Sequence, residues 1–257
     1  MLNYMRSEWY RILHTKEFWT FTGICAGAFL AVSVLTCICN ARIADFHYGS
    51  VRFVLSMLTS SMSTIFYTGA VLASLLFPDD KKSGIMKYTV ATGVSRTEIY
   101  LGKCMVCVLA ALVSMGLILI VYAGSAVLLL EGPAQPYLGI LLRGVAANVP
   151  FAAATVFLYL ALAQFLKHDV LAMLGSLFIL IGVPWITFFA GLRWPVFAKA
   201  AEWMPDMYLR AEVRVNMGEM ECLWMNGAGL SKCLIAGAAG IVIFGAVGVL
   251  LNRRQEL

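Results

Sequence analysis

Six runs of mostly apolar residues, each about long enough to cross a bilayer, are strung along this chain between polar links. The hydrocarbon core of a membrane is about 30 Å thick, which an α-helix of about 20 residues crosses. Lipid offers backbone amides and carbonyls no water, so such a run satisfies them internally, as a helix. The runs lie at about residues 18–40, 51–77, 104–130, 138–166, 170–190 and 232–251. Composition agrees: 61% of residues are hydrophobic and 13% charged, against about 45–50% and 25% in soluble domains. The expectation is an all-α polytopic membrane protein, a single transmembrane domain over residues 1–257 with six transmembrane helices.

The ends and links refine this picture. Residues 1–17 place Met5, Trp9, Ile12 and Leu13 at helical spacing, with Arg6, Arg11 and Lys16 elsewhere on the turn. That pattern suits an N-terminal interfacial amphipathic helix with a Trp anchor; a plain charged start to the first span would carry similar residues. No cleavable leader is expected, because the first apolar run follows a charged segment and is long enough to span. Gly23 and Gly27 in the first span have the spacing that lets another helix approach closely. The second span is rich in hydroxyls (Ser56, Thr59, Ser60, Ser61, Ser63, Thr64, Thr68). Such groups can bond the carbonyl one turn back, and their density predicts a face toward protein or a wet path. Ser60, Ser61, Thr64 and Thr68 are therefore candidates for lining a substrate path.

Further along, Glu131–Pro136 contains one Gly and two Pro residues and reads as a turn. Arg143 lies near one end of the fourth span and can snorkel to the headgroups. Pro184 predicts a kink or broken end in the fifth span. Residues 191–231, with Trp194, Trp203 and Trp224, are too mixed to span. Short interfacial helices with the Trp rings at headgroup depth fit them best. Of the seven cysteines, Cys104 and Cys107 form a Cys-x-x-Cys pair. It opens a membrane helix without a second pair, so apolar filler is the reading.

Lysine and arginine set the orientation. With the termini inside, the inner segments hold Arg6, Arg11, Lys16, Lys81, Lys82, Lys87, Arg96, Lys103, Lys167, Arg253 and Arg254. The short outer links hold only Arg42 and the near-interface Arg52 and Arg143. Long external segments count little in this rule, so both termini are expected in the cytoplasm. The net charge of +5 is split between the two sides and gives no argument for nucleic acid.

The densest polar stretch runs from Phe77 to Lys103 and falls on that cytoplasmic side. Asp79, Asp80 or Ser83 can cap a short helix over about residues 84–92, with Gly93 suited to end it. Ser95-Arg-Thr-Glu98 is a capping box, so the third-span helix is expected to start near Ser95, well before the membrane. A short helix joined rigidly to a spanning one can carry force from a soluble partner. An ordinary solvated loop has a similar composition.

The run Asp79…Gly84-Ile-Met-Lys87…Gly93-Val-Ser-Arg96…Ile99-Tyr-Leu-Gly-Lys103 resembles the loop between the second and third helices of ABC-2-type transporter permeases. The resemblance extends along the chain through the amphipathic start, the six spans and the interfacial stretch before the last one. Ser83-Gly-Ile-Met departs from the Gly-Thr more usual there, at the partner surface. In that family the loop is a coupling helix docked on a cytoplasmic ATPase. The resemblance implies a contact formed or shaped by Asp79, Asp80, Gly84, Lys87, Gly93, Ser95 and Arg96. It implies an ABC ATPase partner that binds ATP and Mg, with no cofactor in this chain. It also implies a second permease subunit, identical or a sister, and a bacterial plasma membrane. Family members of this size export peptides, antibiotics, lipids, glycans or ions. A hydroxyl-lined, largely apolar route suits an amphiphilic peptide, antibiotic or lipid.

No phosphate-binding Gly-x-x-x-x-Gly-Lys-Ser/Thr motif occurs in the sequence, so ATP hydrolysis is expected from another chain. An intramembrane enzyme is disfavoured: His14, His47 and His168 lie outside the spans, and no His-Glu-x-x-His or Gly-x-Ser-x-Gly occurs. A secondary carrier would place ionisable groups near the midplane, where these spans offer hydroxyls, Asn148 and Gln164. A non-transporting scaffold or sensor is the remaining alternative.

Overall fold

The computed structural model describes residues 2–43, 46–76, 93, 95–166, 168–215 and 220–254. In chain order the helices are α1 (Leu2–His14), α2 (Lys16–Arg42), α3 (Val51–Ser60), α4 (Ser63–Leu76), α5 (Arg96–Leu129) and α6 (Tyr137–Phe165). Next comes α7 (Asp169–Leu177), which a π-turn (Phe178–Gly182) joins to α8 (Val183–Gly191). The short α9 (Pro195–Ala201) and α10 (Pro205–Glu212) follow. A two-residue antiparallel ribbon, β1 (Arg214–Val215) with β2 (Met220–Glu221), leads through one 3₁₀ turn into α11 (Gly227–Arg254).

Among the described residues five stretches are long and apolar enough to cross a membrane: Lys16–Arg42, Arg96–Leu129, Tyr137–Phe165, Asp169–Gly191 and Gly227–Leu251. The chain is a multi-pass helical membrane protein. The second span, expected as one run over about residues 51–77, is bent: α3 and α4 meet at 66° across Ser61 and Met62. The elbow is closed by tight three-residue bonds from the Ser61, Thr64 and Ile65 amides to the Leu58, Ser61 and Met62 carbonyls (3.1, 2.9 and 3.1 Å). Hydroxyls support it, since Ser60 Oγ donates to the Met57 carbonyl at 2.9 Å and Thr64 to that of Ser61. Side chains that bond the local backbone compete with the regular ladder, which lets a helix turn here. In the fifth span, Pro184 has no amide to donate to the turn before it. The strain is taken up by the π-turn ending at Gly182, and the helix runs on through it.

α6 is the axis of the bundle: 67% of its apolar window is buried inside the chain, against 11–33% for the other four spans. α11 lies along it through small residues. A Cβ added to Gly237 would sit 2.6 Å from Pro150 Cβ and 2.7 Å from the Phe151 amide nitrogen, and one at Gly240 would lie 2.9 Å from Ala154 Cβ. α4 packs on the same helix, with Gly69 against Val156. Thr155, wholly buried, donates to the Phe66 carbonyl at 2.8 Å. α2 is tied to α5 by two hydroxyl pairs, Thr22–Ser114 at 2.8 Å and Ser33–Ser125 at 2.9 Å. Among the described residues Gly23 and Gly27 meet no other helix: nothing lies within 4 Å of a Cβ at either.

The core divides into two clusters, one toward each end. One gathers Ile12, Phe18, Leu72, Leu76, Tyr100, Tyr159 and Ala172. At this end Tyr4 lies over Gly102 and Gly248 lies against Tyr100, so α1 and the end of α11 meet at the foot of α5. The first and last helices of the described chain therefore meet at one end of the bundle. The other cluster gathers Val54, Leu55, Met62, Tyr122, Leu141, Tyr208 and Trp224. Here the Val51 amide bonds the Glu131 carbonyl at 3.1 Å, pinning α3 to the turn after α5.

The amphipathic start is a separate helix, as its spacing implies: Ile12 is buried and Met5 and Trp9 are partly so, packed on the first cluster. Short helices also occupy residues 195–212. Trp194 and Trp203 are about half exposed (54% and 51%). Trp224 corrects the headgroup expectation. It is buried, and its Nε1 donates to the Ile140 carbonyl at 2.9 Å. Gly144 leaves room for that ring, since a Cβ there would meet Trp224 at 2.7 Å.

Candidate functional site

The described candidate residues fall in two regions, one at each end of the bundle. Of the candidate ATPase-contact residues, Asp79, Asp80, Gly84 and Lys87 lie outside the described residues, as does the short helix expected over 84–92. Gly93 has φ +88°, the left-handed conformation that glycine adopts without strain. Ser95 then caps α5. Its hydroxyl accepts from the Glu98 amide at 3.2 Å, and the Glu98 carboxylate accepts from the Ser95 amide at 3.0 Å. This is the reciprocal pair that the Ser95–Glu98 spacing implies, and Arg96 is the first helical residue. From there α5 runs unbroken for 34 residues. At 1.5 Å per residue it is about 51 Å long, well beyond the ~30 Å hydrocarbon thickness. Its foot is braced: the buried Tyr100 hydroxyl donates to the Phe157 carbonyl at 3.1 Å, and Tyr4 of α1 covers Gly102.

At the other end the four candidate path residues do not share one channel. Thr64 and Thr68 border an apolar groove of about 330 Å³ between α2, α4 and α5, lined also by Cys25, Phe29, Met115 and Leu119. Ser60 instead borders a polar cavity of about 160 Å³ inside the elbow. Ser61 is exposed at the bend and borders neither. Ser60, Thr64 and Thr68 each donate to a carbonyl of their own helix or elbow, so their protons are already used.

The elbow cavity brings in residues that sequence spacing could not have joined. Thr59, Ser60 and Ser63 meet Asp206, Leu209 and Arg210 of α10 there. Asp206 is only 4% exposed, and its Oδ2 accepts from Arg210 Nε at 3.1 Å. The Arg210 side chain is 58% exposed, with its guanidinium carbon 5.5 Å from the Trp185 ring centre. Arg210 also borders a second cavity of about 410 Å³ with Trp185, Phe188, Leu192, Met207 and Tyr208. α10 is held over both by Lys232 of α11, which pairs with Glu212 at 2.5 Å and lies 5.3 Å from the Tyr208 ring centre. An Asp and an Arg four residues apart ahead of an apolar span, Asp206 and Arg210, were the available signal. On their own they read as an ordinary helix-surface pair.

Comparison with protein-family models, with characterised proteins and with solved structures yields no match to this chain.

Proposed function

We propose that this chain is the membrane-spanning permease subunit of an ATP-driven exporter of the ABC-2 type. It would couple ATP hydrolysis by a separate cytoplasmic ATPase to export of an amphiphilic peptide, antibiotic or lipid. The observation that carries the reading is α5, a single capped helix about 51 Å long, which exceeds the ~30 Å hydrocarbon thickness and begins at the Ser95 cap. The polar stretch of residues 77–95 leads in sequence into this lever, since Ser95 is the last residue of that stretch and the cap of the helix. A push on the segment is then transmitted along α5 and, through Tyr100 and Tyr4, to α6 and α1.

In this reading α3 and α4 together make the second of six spans, bent at the elbow. The lysine and arginine distribution supports an orientation with both termini and residues 77–95 in the cytoplasm, and the family resemblance implies a bacterial plasma membrane. Asp79, Asp80, Gly84, Lys87, Gly93, Ser95 and Arg96 form or shape the ATPase contact, and a second permease subunit completes the pathway. The placement of buried charged side chains favours this reading over a carrier. Among the described residues Glu8, Lys103 and Asp206 are the buried acidic and basic ones, and all three lie toward the ends of the bundle rather than its middle.

The test is co-purification. The tagged chain, solubilised from the membranes of its own cell, is expected to bring down an ATPase carrying a phosphate-binding loop, in stoichiometric amount. Purified alone and reconstituted into vesicles, it should move nothing. Solute uptake by the lone chain, driven by an ion gradient, would refute the permease reading.

A further inference from the structure

The elbow cavity is unusually rich in free acceptors. Thr59 and Ser60 have spent their protons on the Leu55 and Met57 carbonyls, at 2.8 and 2.9 Å, so toward the cavity their oxygens can only accept. Among the described residues Asp206 Oδ1 takes no hydrogen bond, although the residue is 96% buried, and the Ser63 hydroxyl makes none either. That oxygen is not closed off inside the protein, and the cavity beside it, about 160 Å³, admits a small group. Four oxygens around such a space match a donor with several N–H groups, which is a primary ammonium.

Arg210 adds the complement. Only its Nε is engaged by Asp206, and the rest of the guanidinium stands at the mouth, where it can take a phosphate or carboxylate. Beyond it lies the cavity of about 410 Å³, walled by Trp185, Phe188, Leu192 and Met207, within the size range of small-molecule sites. The geometry points to a binding site for a zwitterionic amphiphile. Its ammonium enters the elbow against Asp206 and Ser63, its anionic group meets Arg210, and its hydrocarbon part occupies the aromatic cavity. This deepens the exporter reading by giving the cargo class, and it rests on that reading only in calling the ligand a cargo. A bilayer lipid and an exported amphiphile share this chemistry.

Ligand retention, read by native mass spectrometry of the full chain released from detergent, tests the site without any ATPase. The probes are phosphatidylethanolamine, phosphatidylcholine and phosphatidylglycerol with identical chains. The ethanolamine lipid is expected to be retained about tenfold more than the other two, because a trimethylated ammonium has no N–H and glycerol carries no charge. Asp206→Asn should abolish the preference. The double variant Ser60→Ala, Ser63→Ala, which keeps the ion pair with Arg210, should reduce it several-fold. O-phosphoethanolamine, the same head group without chains, should not displace the lipid. A single-chain ethanolamine lipid that outcompetes the two-chain form would mark an exported amphiphile, and the converse a bilayer lipid. Equal retention of all three phospholipids, or a preference unchanged in both variants, would overturn the site. Displacement by the chainless head group would overturn the role of the aromatic cavity. None of these outcomes depends on finding an ATPase partner.

Discussion

Alanine at Gly237 separates packing that exists from packing that a motif only suggests. A Cβ there would stand 2.6 Å from Pro150 Cβ and 2.7 Å from the Phe151 nitrogen. Carbon atoms rest at about 3.5–4.0 Å, so α11 and α6 would have to part by about 1 Å. The obstructing atoms belong to a proline ring and to backbone, and neither can rotate away. Overpacking of this kind costs about 1–3 kcal/mol, and a rigid obstacle puts Gly237 near the upper figure. Alanine returns up to about 1 kcal/mol as the better helix former, which leaves a net loss of about 2 kcal/mol. For a chain of this length that lowers Tm by roughly 4–8 °C. Gly23→Ala and Gly27→Ala meet nothing within 4 Å and are expected to melt at the parental temperature or slightly above it. The assay is intrinsic-fluorescence melting of the purified protein in one detergent. A neutral Gly237→Ala would refute the close approach of α11 to α6. A destabilising Gly23→Ala would refute the bare face on α2.

Three further outcomes follow from single sites. Ser95→Ala removes one arm of the capping box; opening of the first turn of α5 should become about fivefold more frequent, seen as faster amide exchange over Arg96–Gly102 with the rest of α5 unchanged. Trp224→Phe loses the bond to the Ile140 carbonyl, at about 1 kcal/mol, whereas Trp224→Ala should cost about 3–5 kcal/mol, both read from melting. Burial pushes the Cys222 thiol up to about 11. Its thiolate is therefore scarce at pH 8 and grows as pH rises toward that value, so maleimide labelling at Cys222 should quicken about tenfold per pH unit between 8 and 10.

The spans were legible because their signal is local: enough apolar residues in a row to cross lipid. The Ser95–Glu98 cap was legible for the same reason, since both its bonds join residues three apart. The elbow was not. Residues 51–77 read as one span, and the hydroxyls of Ser60, Ser61, Ser63 and Thr64 suggested a face toward protein or a wet path rather than a bend. What fits the bend into the fold is remote: Asp206 and Leu209, about 145 residues on, border its inner side. Trp224 misled in a similar way. A Trp beside a span suits the interface, but a gap left by Gly144, 80 residues earlier, draws this one into the core. Gly23 and Gly27 have the spacing without the contact, and Gly237 and Gly240 have the contact at closer spacing. Which glycine face meets a helix depends on how the bundle assembles, and spacing alone does not carry that.

Site-directed cross-linking tests the central proposal most directly. Single cysteines would replace Lys87 or Thr92, both outside the described residues, in a variant whose native cysteines are removed. A short bifunctional maleimide would be applied in intact membranes and the captured chain identified by mass spectrometry. The permease reading expects an ATPase with a phosphate-binding loop, captured from both positions and from neither of two control cysteines at Tyr48 and Trp203, at the opposite end of the bundle. Capture of no ATPase from Lys87 or Thr92, or equal capture from Tyr48 or Trp203, would contradict it.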